Sequence, residues 1–106
     1  MRSNAFRRRA AEAYAGRVIR RHVIVHGSVQ GVGFRYSAAL EARRLGVAGW
    51  ARNRPEGTVE LEIEGAEASV DAMLDWLTTG PQGAVVERTD VSAREPDGES
   101  GFGITG

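Results

Sequence analysis

Apolar and acidic residues alternate through the stretch TVELEIEG, residues 58–65, with Val59, Leu61 and Ile63 set against Glu60, Glu62 and Glu64. Successive side chains of a strand point to opposite faces. This stretch therefore predicts a half-buried strand, one face in the core and an acidic face in water. Over residues 67–79 the period changes. Val70, Met73, Leu74 and Leu77 fall at helical spacing, and Gly80-Pro81 stops the helix they predict. Phe34, Ala38, Ala42 and Leu45 make a second helical stripe, with Glu41, Arg43 and Arg44 off it and Gly46 as its stop. Residues 21–26, RHVIVH, are rich in β-branched side chains and end at Gly27, which predicts a strand; VAGWARN, residues 47–53, predicts another. Arg54-Pro55-Glu56-Gly57 reads as the turn into the acidic strand. Residues 84–93 carry a weaker strand pattern. Residues 101–104 leave room for a short last strand after the Pro96-Asp97-Gly98 turn.

The order β-α-β-β-α-β places two helices on one face of an antiparallel sheet, the ferredoxin-like α+β sandwich. The 106 residues suffice for one core. Cysteine is absent, which excludes disulfides, thiol catalysis and thiolate-bound metal. His22 and His26 alternate on the first strand and are too few to build a histidine metal site unless carboxylates help. No run of about 18 apolar residues occurs, so no membrane partner is expected.

A net charge of zero conceals an asymmetry. Residues 1–21 hold seven arginines against Glu12, whereas residues 22–106 hold seven arginines against thirteen acids. An acidic body argues against nucleic-acid binding by the domain. Residues 1–20 read as a basic, flexible extension ahead of a domain at 21–106, with a transit peptide or a nucleic-acid-binding arm as other readings. All fourteen basic residues are arginine, so no lysine can form a Schiff base or clamp a phosphate.

Gly27-Ser28-Val29-Gln30-Gly31-Val32-Gly33 sets a glycine-rich turn directly before a helix. It is neither of two familiar phosphate cradles. Val32 stands where a Walker loop started at Gly27 needs glycine, and Tyr36 stands where a dinucleotide fingerprint started at Gly31 needs its third. The backbone N–H groups of Gly31, Val32, Gly33 and Phe34 could still converge on an anion at the helix start, where the helix dipole favours negative charge. Arg35, a cation in the first turn, is disfavoured there unless an anion offsets it. The bland reading, a loop serving chain geometry and an arginine in a surface ion pair, stays open on these residues alone.

Gly27-Ser28-Val29-Gln30-Gly31-Val32-Gly33-Phe34-Arg35 resembles the acylphosphatase signature G-x-V-Q-G-V-x-F-R, and Gly49-Trp50-Ala51-Arg52-Asn53 resembles the same family's G-W-x-x-N. The resemblance spans roughly residues 21–105. It implies metal-free, cofactor-free hydrolysis of acyl phosphates to a carboxylate and inorganic phosphate. Arg35 would be the phosphate-binding arginine and Asn53 the asparagine that orients the attacking water, with the amides of residues 31–34 sharing the phosphate. Gln30 and Thr58 are expected in support, Gln30 bonding the loop and Thr58 steadying Asn53. Trp50 is expected in the core. Ser28 departs from several relatives, which carry a basic residue there. The implied partners are a small acyl phosphate and phosphate, with no nucleic acid or membrane, and a cytoplasmic monomer is expected.

Overall fold

The computed structural model describes residues 17–106. Five strands and two helices follow in the order β1 (Val18–Ser28), α1 (Phe34–Leu45), β2 (Ala48–Asn53), β3 (Val59–Ala66), α2 (Glu67–Thr79), β4 (Val85–Arg94) and β5 (Phe102–Thr105). The strands form one sheet in the order β4-β1-β3-β2-β5. The apolar face of the sheet, from Val23, Val25, Ala51, Val59, Leu61 and Ile63, meets Phe34, Ala38 and Ala42 of α1 and Val70, Met73 and Leu77 of α2. Each large side chain so buried contributes about 1.5–3 kcal/mol. The alanines of α1 let that helix lie close to the sheet.

The α+β ferredoxin-like architecture is present, with one difference in the sheet. β1, β3, β2 and β4 pair antiparallel, but β5 runs parallel to β2, so the sheet is mixed. The direction follows from the route of the chain. β4 leaves the sheet where Arg94 pairs with Arg20, at the start of β1. The following segment crosses to the far edge at that same end, and the Gly101 carbonyl accepts from the Gly49 amide at 2.9 Å. Entering beside the start of β2, β5 can only run with it.

Three further expectations are corrected. The first strand reaches back to Val18, so Ile19 and Arg20 belong to the sheet and not to an extension; both are buried. Residues 1–16 of the expected extension lie outside the described residues. The acidic face of β3 is also not in water: Glu60 and Glu64 are buried at 7% and 4% exposure. Arg20 supplies the reason. Its guanidinium donates to Glu62 at 2.5 Å, Glu64 at 2.9 Å, Asp97 at 3.1 Å and Glu99 at 3.1 Å. Glu60 takes His22 Nε2 at 2.7 Å and Arg52 Nε at 2.5 Å. Burial alone would raise the Glu60 and Glu64 carboxyls, but these donors, with the Asp97 and Gly98 amides on Glu64, hold both below the ordinary value. Trp50 likewise lies half-buried on this face, 5.4 Å from the Arg52 guanidinium, rather than in the core.

Candidate active site

β1 ends at Ser28, and α1 starts at Phe34, whose ring is buried and packs on Trp76 of α2 with centroids 5.8 Å apart. The loop between them is thus fixed at both ends. Gly31 (φ 78°) and Gly33 (φ 71°) are both left-handed, a conformation that costs other residues about 1–2 kcal/mol. Nothing lies within 4 Å of a Cβ built at either, so glycine is required here by backbone conformation and not by crowding. Among the described residues, the amides of Gly31, Val32, Gly33, Phe34, Arg35 and Tyr36 donate to no acceptor. Such a run of free N–H groups at a helix N-terminus can cradle an anion.

The pocket at this loop has a volume of about 200 Å³ and is lined by Gln30, Gly31, Gly33, Phe34 and Arg35 from the loop and helix start, with Asn53 from the end of β2. Arg35 and Asn53 are therefore brought to one cavity. Arg35 Nη1 donates to the Thr105 carbonyl at 3.2 Å and to a main-chain oxygen of Gly106 at 3.3 Å, which aims the guanidinium. Asn53 is half-buried, and its amide has no hydrogen-bond partner among the described residues. Gln30 bonds not the glycine-rich loop but the turn beyond β2: its Nε2 donates to the carbonyls of Arg54 and Thr58, both at 2.8 Å. Those carbonyls belong to the turn that follows Asn53, so Gln30 couples the cradle to the strand end carrying Asn53.

Val32 and Thr58 do not line the pocket. The Val32 side chain packs against the core, leaving only its amide for a ligand. Thr58 is buried, and its hydroxyl donates to Glu56 at 3.1 Å rather than to Asn53. Thr58 thus braces the turn, whose Arg54 amide donates to the Thr58 carbonyl at 2.9 Å. His22 and His26 are bonded to Glu60 and Asp90 on the opposite face of the sheet, away from the cavity. Among the described residues, no group of three or more histidine, aspartate or glutamate side chains is placed to hold a metal ion. Tyr36 and Ile104, which also line the cavity, were not legible as site residues. Tyr36 carries a usable signal, since it follows Arg35 directly and lies off the Phe34–Ala38 stripe. Ile104 carries none, because only the direction of β5 brings it here.

The acylphosphatase family model matches residues 21–104. The acylphosphatase of Thermococcus kodakarensis is 50% identical over 88 residues, covering 83% of this chain and 97% of that protein. Among solved structures, the acylphosphatase from Bacillus subtilis superposes with a TM-score of 0.80 at 35% identity, covering 82% of this chain and 98% of its own. The acylphosphatase from Coxiella burnetii also gives 0.80, at 34% identity, covering 83% and 93%. Both the pocket and the sequence outside it therefore point the same way: the chain belongs to the acylphosphatase family.

Proposed function

We propose that this protein hydrolyses the carboxyl-phosphate bond of small acyl phosphates, and that Arg35 and Asn53 are its catalytic residues. The observation that carries the reading is their meeting in one cavity with the free amides at the start of α1. The phosphoryl group takes the cradle. Its oxygens accept from the amides of residues 31–34 and from the planar guanidinium of Arg35, which can hold two oxygens at once where an ammonium cannot. These donors are fixed before the reaction and so stabilise developing charge without rearranging.

Asn53 has an amide oxygen to accept from a water and an NH₂ to donate. It orients that water for attack on phosphorus. The phosphorus–oxygen bond to the acyl group breaks, the carboxylate leaves with the bond pair, and a phosphate oxygen takes the proton of the water. Because a carboxylate is a good leaving group, alignment of the water matters more than its deprotonation. The reaction needs neither a metal nor a cofactor. Among the described residues no helix is long and apolar enough to cross a membrane. A cytoplasmic monomer acting on a free small molecule, with no nucleic-acid partner, fits the acidic domain.

The test is hydrolysis of benzoyl phosphate in chelator-treated buffer by the wild type, Arg35→Ala and Asn53→Ala. Turnover that survives chelation and collapses in both variants supports the reading. A folded wild type that binds phosphate without turning substrate over would instead leave a non-catalytic anion-binding module.

A further inference from the structure

Tyr36 and Ile104 line the same cavity as Arg35 and Asn53, yet they are 62% and 43% exposed. Large apolar side chains left in water beside a binding site mark a surface that a ligand covers. Leu40 continues the face of α1 one turn beyond Tyr36 and is itself 49% exposed. Ile104 pairs with Ala51, whose side chain is buried on the helix side of the sheet, so Ile104 stands on that side too. The next residue, Thr105, supplies a carbonyl to Arg35, which sets the apolar rim directly beside the cation.

The cavity is divided by polarity. Its cradle end offers amides and a guanidinium, and its mouth offers an aromatic ring and a branched aliphatic chain. Among the described residues Arg35 is the single charged residue of the lining, so an acyl group carrying its own carboxylate meets no second cation from them there. An acyl phosphate held by its phosphoryl group at the cradle must direct its acyl group towards the mouth.

Resting on the hydrolase reading above, we propose that Tyr36 and Ile104 form an acyl subsite that favours uncharged, apolar acyl groups, aromatic or branched, over small ones. The test compares kcat/KM for benzoyl phosphate and acetyl phosphate in the wild type, Tyr36→Ala, Ile104→Ala, the double variant and Tyr36→Phe. Intrinsic reactivity differs between the two substrates but cancels when their ratio is compared across variants. The benzoyl-to-acetyl ratio is expected to fall in each alanine variant and by about tenfold in the double, at the low end of what a contact in an apolar pocket discriminates. Tyr36→Phe, which keeps the ring, should keep the ratio. Since neither side chain belongs to the buried core, these changes leave it intact, and circular dichroism checks this. A ratio unchanged in the double variant, or equal losses for both substrates, overturns the subsite while leaving the hydrolase reading intact. A wild type that turns over neither substrate overturns both.

Discussion

Arg35 Nη1 donates to the Thr105 carbonyl at 3.2 Å, tying the first turn of α1 to the far end of β5. A cation at a helix N-terminus is opposed by the helix dipole, and the main-chain oxygens of Thr105 and Gly106 offset part of that cost. The side chain is thereby oriented by the protein's own main chain. Preorganisation of this kind makes a charge-stabilising donor effective, because no rearrangement is needed as the transition state forms.

Arg35→Ala is expected to lower kcat/KM by about 10²–10³, the usual cost of losing one such donor. Arg35→Lys should recover little, since an ammonium cannot grip two phosphoryl oxygens in a plane. Steady-state kinetics of both variants on benzoyl phosphate check this, and near-normal turnover by either would remove Arg35 from the catalytic role.

Asn53→Ala should lower kcat by about 10² with KM little changed, because a misplaced water slows the chemical step without weakening phosphate binding. A matched rise in KM at constant kcat would instead make Asn53 a substrate-binding residue.

Gly33→Ala places a side chain at φ 71°, which costs about 1–2 kcal/mol of stability and turns cradle amides away from the phosphate. The expected result is a lowered unfolding midpoint in urea together with weaker competitive inhibition by inorganic phosphate. Stability lost with phosphate inhibition intact would mean that the αL turn serves the fold alone.

Arg20→Met leaves Glu62, Glu64, Asp97 and Glu99 without their shared cation, and removing one partner of a buried pair costs about 3–5 kcal/mol. Denaturant unfolding measures the loss. A chain beginning at residue 21 should suffer at least as much, because it lacks the buried Ile19 as well, whereas a chain beginning at residue 17 keeps both. Equal stability of the two truncated chains would contradict this account of β1.

Stability should also fall with acid. The Glu64 carboxyl in the folded protein lies below its ordinary value of 4.5; burial opposes this, but the Asp97 amide and Arg20 outweigh it. The unfolded chain therefore takes up the proton first as pH drops, and the stabilisation present above 4.5 is lost as pH falls through the lower folded value. Glu60 adds to the effect in the same direction. Thermal unfolding followed from neutral pH down to about pH 3 should show a falling midpoint, with a shallower slope in Glu64→Gln. An identical slope in that variant would exclude Glu64 as a source of the effect.

Local periodicity and local motif were enough to reveal much of this protein. The spacing of Val70, Met73 and Leu77 marks α2, and Phe34 with Gly46 bounds α1, because a helix buries side chains only a few residues apart in sequence. The alternation in β3 reveals a strand for the same reason, and the glycine-rich turn beside Arg35 reveals a candidate anion cradle. Other features were settled only when the chain closed on itself. The glutamates of β3 looked solvated because nothing near them in sequence covers them. Their partner Arg20 lies 42 residues from Glu62 and 44 from Glu64, and the register of β1 on β3 brings them together. The parallel direction of β5 depends on where the crossing segment lands, and with it go the Thr105 carbonyl on Arg35 and the place of Ile104 at the cavity mouth. Sequence period determines which face of each element seeks the core. Which charges then meet is decided by long-range pairing, whose electrostatic energy depends on distance in space and not along the chain.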